Sequence, residues 1–218
     1  MRKVLFMVLL GLLFLTGCTS NDKLVSIVVD EYVGEVSFNG ETASPGTVFT
    51  NKLSIQTGPG SYCDLIFIEK NILRVFSDSK LDIDLSEAEK SVTLEIGGVG
   101  FVMGEPIGDE KDPFEVETQV AVAAVRGTVF DMVMEESNQI YVCTCNGEIH
   151  HQAGESFEET ISASHHNSYR IRKESDGSLT EMESGMEYHD DTVMDFLATK
   201  VGLEIDWTLT NGVSEIDE

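Results

Sequence analysis

Apolar and polar residues alternate in short runs along most of the chain, with turn signals between them. "LDIDL" at 81–85 alternates strictly, as a half-buried strand does. "SVTLEI" and "FEVETQVAVAAV" keep the same two-residue period. "EYVGEVSF" precedes Asn39-Gly40, "YVCTC" precedes Asn146-Gly147, and "SYRIRK" precedes Asp176-Gly177. Asn-Gly and Asp-Gly between β-rich runs signal tight hairpin turns, so the pattern predicts an all-β domain of hairpins. The segment "MGEPIGDEKDPF" at 103–114 breaks the rhythm and is expected to be a solvated surface loop. Its Asp109, Glu110 and Asp112 lack the ligand spacing of a calcium loop.

One segment has a helical period. In "HDDTVMDFLATKVG", Val193, Phe196, Leu197 and Val201 share a face. Asp190 or Asp191 can cap the start, Lys200 suits the last turn and Gly202 can end it. Leu203, Ile205, Trp207 and Leu209 then alternate like a short strand. This region, 181–218, holds eleven acidic residues with Lys200 as its one base, and is expected to dock on the β-domain.

The first run fits neither period. Arg2 and Lys3 precede an apolar stretch at 4–16 that is shorter than the roughly 20 residues a spanning helix needs. A basic start followed by a short apolar run reads as an export signal. Leu15-Thr16-Gly17-Cys18 is similar to the bacterial lipobox, in which the cysteine thiol accepts a diacylglyceryl group. The expected organisation is a signal peptide at 1–17 and a lipid-anchored linker at 18–23. A β-domain at 24–180 and the acidic extension at 181–218 follow. Two or three acyl chains on Cys18 would give stable anchoring.

The chain of 218 residues carries a formal charge of −25, which repels phosphate backbones and excludes nucleic acid as a partner. Cys143 and Cys145 lie two apart on a predicted strand and should share a face, where a bridge between them would be strained. Cys63 could pair with either, but buried free thiols are the expectation. His150-His151 and His165-His166 are paired and His189 stands apart. Adjacent histidines on a strand face opposite sides, so exposed polar side chains are expected. No metal ligand, cofactor or catalytic residue is assigned, and no stoichiometric zinc or iron is expected. The chain lacks G-x-S-x-G, H-E-x-x-H and P-loop motifs.

The run "FEVETQVAVAAVRGTVFDMVMEESNQIYVCTCNGEIHHQAGE" resembles the FecR-type domain, a family named for bacterial iron-dicitrate sensing. Val125, Arg126, Gly127, Thr128 and Phe130 match its Val-Arg-Gly-Thr strand, and Gly147 and Ile149 its closing strand. Upstream, Thr57, Gly58 and Ser61 match its Thr-Gly-x-x-Ser segment. The resemblance implies a non-catalytic domain built as a twisted antiparallel two-sheet sandwich or solenoid-like pair of sheets, here with a short α/β extension. Thr57, Gly58 and Ser61 also read as turn formers. Gly127 can bend the strand between sheets. Val120, Val122, Ala124, Phe130 and Met132 mark one apolar face, on which Arg126 also falls unless the strand bulges. A buried guanidinium needs a carboxylate, so Arg126 reads as a structural ion pair, with an anion site as the alternative.

The expected function is a cell-envelope lipoprotein, exported and held by lipid on Cys18, that binds or scaffolds another envelope protein. The outer membrane or cell surface is favoured over the inner membrane. A sensory or regulatory subunit acting through a membrane partner is the alternative, and an envelope metal-binding protein or hydrolase stands third. Cys18→Ser is expected to abolish fatty-acid labelling and detergent-phase partitioning; a substituted protein that still takes up labelled fatty acid refutes the tether.

Overall fold

The computed structural model describes residues 24–216, apart from 87–88, 110–111, 126 and 154–156. The leader, Cys18 and Arg126 lie outside the described residues. Strands β1 (Ser26–Val33), β2 (Val36–Phe38), β3 (Val48–Thr50), β4 (Lys52–Thr57), β5 (Tyr62–Phe67), β6 (Asn71–Val75) and β7 (Lys80–Asp84) form the first half. The long β8 (Ser91–Met103), then β9 (Gly108–Asp109), β10 (Asp112–Glu117), β11 (Val122–Val125) and β12 (Val129–Glu136) come next. The longest strand, β13 (Gln139–Ala153), leads to β14 (Phe157–Ala163), β15 (Asn167–Lys173) and β16 (Leu179–Ser184). The extension folds as α1 (Asp191–Lys200), β17 (Leu203–Ile205) and β18 (Val213–Glu215). The protein is thus nearly all-β, with one short helix among the described residues.

Two sheets share two strands. One runs β3-β1-β5-β6-β8-β12-β13-β15-β16. The other runs β2-β4-β7-β8-β10-β11-β13-β14. Both β8 and β13 pass from one sheet into the other. β8 bends near Gly97 (φ +76) and β13 at Gly147 (φ +115), backbone that L side chains rarely adopt. The chain also changes sheet between β11 and β12, where Gly127 has φ +63. Pairing is antiparallel except between β8 and β10, where Val92 lies beside Val116 in a parallel pair.

Several local expectations change. Asn146-Gly147 does not close a hairpin: β13 runs through it, and the Gly147 backbone serves the bend. The apolar face of 120–132 is not one even-numbered row. Ala123 and Val125 are core residues while Val122 and Ala124 are half-buried; after Gly127 the core positions are Phe130 and Met132. The sheet change at Gly127 inverts the phase. The 103–114 segment is not one loop, because β9 and β10 form within it and Phe114 is buried. Asn39-Gly40 does make its turn, with φ of +53 and +81.

The main core lies between the sheets, where Phe101 stacks on Phe130 at 4.6 Å and meets Phe114 edge-on at 5.9 Å. His151 of β13 is buried against Tyr169, and burial pushes its pKa down to about 3, so it packs as a neutral ring.

The first sheet is apolar on its outer face too. Ile72, Val102, Val129, Val133, Tyr141, Cys143 and Cys145 point away from the main core and pack against Met194, Leu197, Ala198, Val201 and Leu203 of the extension. Glycines in and just after β8 give the extension room: a Cβ on Gly100 would come 3.3 Å from Met194 of α1, and one on Gly104 2.5 Å from Leu203 of β17. Helix α1 presents Met194, Leu197 and Ala198 inward, whereas Phe196, expected on that face, is exposed. Asp190 caps it by accepting from the Val193 N–H at 2.9 Å. At its end, Lys200 donates to Asp30 at 2.7 Å and to Asp64 at 2.8 Å. Asp64 is fully buried and takes a two-pronged pair from Arg74 at 2.6 and 2.7 Å. Burial disfavours the Lys200 charge, but Asp30 and Asp64 outweigh it and raise the pKa.

Leu197 lies wholly within this second core. Leu197→Ala is expected to lower unfolding free energy by about 3 kcal/mol through lost burial and a residual cavity. Denaturant unfolding checks it; an unchanged midpoint and slope would mean that the extension is not part of the folded unit.

Candidate functional site

The outer face of the first sheet carries a polar cluster inside its apolar cover. On β13, Tyr141, Cys143 and Cys145 point outward because alternate residues share a face, while Ile140 and Val142 enter the main core. Both cysteines are free and fully buried. Asp131 of β12 lies opposite Cys143 in the ladder and is also fully buried.

Two histidines complete the cluster from other segments. His166 sits in the turn between β14 and β15 with φ +46, a left-handed backbone that aims its ring back at β13. His189 comes just before the helix cap, and Tyr141 pins its approach. The Tyr141 hydroxyl donates to the Gly185 carbonyl and accepts from the Glu187 N–H, each at 3.2 Å. The neighbouring Tyr188 donates to Glu135 at 2.6 Å and rests edge-on against Tyr141.

The donor atoms converge. Cys143 Sγ is 3.4 Å from Cys145 Sγ and 3.3 Å from His166 Nδ1. Cys145 Sγ is 3.2 Å from His189 Nε2, and the two imidazole nitrogens are 3.3 Å apart. All four atoms lie within 4.8 Å of one another. Each ring has a carboxylate behind it: Asp191 is 2.7 Å from His166 Nε2, and Asp131 is 3.2 Å from His189 Nδ1. The Asp131 carboxylate has no well-formed hydrogen bond among the described residues. Trp207 stacks over His166 at 5.1 Å.

Burial and the neighbouring groups pull the titratable side chains of the cluster in opposite directions. The Cys145 thiol, with His166 and His189, pulls the Cys143 pKa down against the cost of burial. Burial and the Cys143 charge push Cys145 upward. Burial opposes a charged His189, yet Asp131 and Cys143 overcome it and raise its pKa to about 10. Burial lifts Asp131 to about 6, partly offset by His189. Two thiols and two imidazoles are a donor set suited to a thiophilic divalent ion. A cysteine beside a histidine can also act as a nucleophile, but these sulfurs are shut away from solvent.

The family-motif residues sit elsewhere. Thr57 Oγ1 donates to the Phe76 carbonyl at 2.5 Å and accepts from the Ser79 N–H at 3.0 Å. Ser61 Oγ accepts from the Glu35 N–H, and the Gly58 N–H donates to the Glu35 carbonyl, both at 2.8 Å. Thr128 Oγ1 donates to the Glu148 carbonyl at 2.8 Å, and a Cβ on Gly147 would come 3.1 Å from Thr128. These residues pin turns and the sheet crossing, and none touches the cysteine–histidine cluster. Cys63, buried on β5, lies outside it as well; burial pushes its thiol up to about 12.

The histidines depart from the exposed polar expectation. His150 and His165 are exposed, whereas the side chain of His189 is fully buried and that of His166 nearly so. The sequence pattern assigns no metal ligand, yet the fold joins a member of one histidine pair, the lone His189 and the C-x-C pair. The C-x-C spacing, with all five histidines following it in the chain, was the one signal available.

No curated protein matches the chain. Two crystal structures of a candidate anti-sigma factor from Parabacteroides distasonis are similar at 16% identity, with TM-scores of 0.49 and 0.48. The match covers 61% and 60% of this chain, and spans 60% and 59% of the respective chains it matches. Residues 54–150 match the family model described as FecR protein, a stretch that runs from β4 through the sheet crossing of β13. This stretch of the chain is therefore similar to the FecR family.

Proposed function

We propose that this protein is a lipid-anchored envelope protein whose FecR-type domain, bearing its docked extension, binds a second envelope protein without catalysing a reaction. The FecR match at 54–150 carries this reading. The leader and lipobox-like Cys18 support export and tethering, with the folded unit beginning soon after the tether. Burial of the cysteine–histidine cluster favours holding over turnover, since a nucleophile needs substrate access. No helix among the described residues is long and apolar enough to cross a membrane. A regulatory or sensory output through a membrane partner is the second reading, and the FecR match favours it as the process that binding would serve.

Crosslinking in cells that make the full-length protein tests the reading. One envelope protein should be retained, and lost when 24–216 is replaced by an unrelated folded domain behind the same leader. A change in transcription on deleting the gene supports the regulatory reading, and capture without such a change supports scaffolding. Turnover of a peptide, ester or glycan by the purified protein, or equal capture by the replacement, overturns the proposal.

A further inference from the structure

We propose that Cys143, Cys145, His166 and His189 form a closed four-coordinate site for one zinc ion, which ties the C-terminal extension to the FecR-type domain. Zinc bound at about 2.3 Å to sulfur and about 2.0–2.1 Å to nitrogen sets tetrahedral ligand separations of roughly 3.3–3.8 Å. The imidazole nitrogens stand 3.3 Å apart, the sulfurs 3.4 Å, and the two sulfur–nitrogen contacts measure 3.2 and 3.3 Å. Four of the six donor–donor separations are thus close to those of a tetrahedral zinc site, a little short at the sulfurs, and the other two lie within 4.8 Å.

Independent support comes from the far side of each ring. A metal-ligating histidine commonly turns its other nitrogen to a carboxylate or carbonyl, fixing the tautomer and raising ligand basicity. His189 presents Nε2 to the sulfurs and Nδ1 to Asp131; His166 presents Nδ1 to the sulfurs and Nε2 to Asp191. Asp131 is wholly buried with its carboxylate oxygens otherwise unpartnered, an arrangement that makes sense behind a ligand ring.

The alternatives fit less well. A disulfide is disfavoured because Cys143 and Cys145 are two apart on one strand and are free thiols at 3.4 Å. A two-iron cluster with two cysteines and two histidines places each pair on a different iron. Here all four donors lie within 4.8 Å of one another, which leaves room for one ion. On binding, both sulfurs coordinate as thiolates and both ligating imidazole nitrogens as free lone pairs, so whatever protons those four atoms carry pass to solvent as the bonds to zinc form. The two thiolates then balance the dication inside a buried site. With four protein ligands and no open position, the ion is structural. Its ligands come from β13, from the β14–β15 turn and from the approach to α1, so the metal closes long loops of chain and clamps the extension.

Metal analysis of the full-length protein, purified in detergent under reducing conditions, tests this. The expected result is one zinc per chain, retained through dialysis. A Cys143→Ser/Cys145→Ser double variant should lose it, while a His150→Ala/His165→Ala variant, altered at exposed histidines, should keep it. Asp131→Asn should weaken zinc affinity by about tenfold to a hundredfold. Because the cysteine variant could misfold, cobalt is added to the apo wild type as a second readout. Intense tetrahedral d–d bands and a thiolate-to-cobalt charge-transfer band are expected. Substoichiometric zinc after reconstitution, iron or copper in its place, zinc retained by the cysteine variant, or weak octahedral cobalt spectra each overturn the proposal.

Discussion

Strand β13 belongs to both sheets, and its bend at Gly147 sets the geometry around it. Before the bend, Ile140 and Val142 enter the main core while Tyr141, Cys143 and Cys145 face outward; after it, Ile149 is a core residue in the other sheet. The bend takes a φ of +115°, which favours glycine, and a Cβ there would also crowd Thr128 at 3.1 Å. Asn146, one residue earlier, uses its amide to hold neighbouring chain. It donates to the carbonyls of Ser164 and Leu209 and accepts from the Gly212 N–H, each at 2.8 Å. The crossing thereby anchors both the turn that carries His166 and the end of the extension.

A sheet apolar on both faces cannot leave one open to water, and α1 with β17 covers the second face. That cover is not uniformly apolar. It encloses the cysteine–histidine cluster and Asp131, a carboxylate 3.2 Å from the His189 ring, and burying a charge is costly. A zinc ion among the four donors would balance the two thiolates and fix His189 with its Nδ1–H turned to Asp131. At the far end of the helix, Lys200, Asp64 and Arg74 meet the same demand with an ion-pair network. The extension is thus held at one end by salt bridges and at the other by the cluster, with Leu197 and Met194 packed between.

Much of the β-architecture was legible in the sequence, since alternation such as "LDIDL" depends only on which face is buried, and Leu81 and Ile83 are core residues. The shared face of Cys143 and Cys145 followed from the same rule. What failed was what the crossings changed. Asn146-Gly147 has the local chemistry of a turn, yet the positive φ is spent inside a continuous strand. Val122 and Ala124 were placed on the wrong face because Gly127 inverts the phase midway. The meeting of His189 with Cys145 was not legible at all. It depends on how an extension docks, and no local periodicity encodes a contact between residues 44 apart in sequence.

X-ray absorption at the zinc edge of the full-length, zinc-loaded protein tests the clamp most directly. Two sulfur scatterers at about 2.3 Å and two imidazole nitrogens at about 2.0 Å are predicted. A first shell of oxygen and nitrogen alone would contradict it, placing the ion on surface carboxylates and exposed histidines instead.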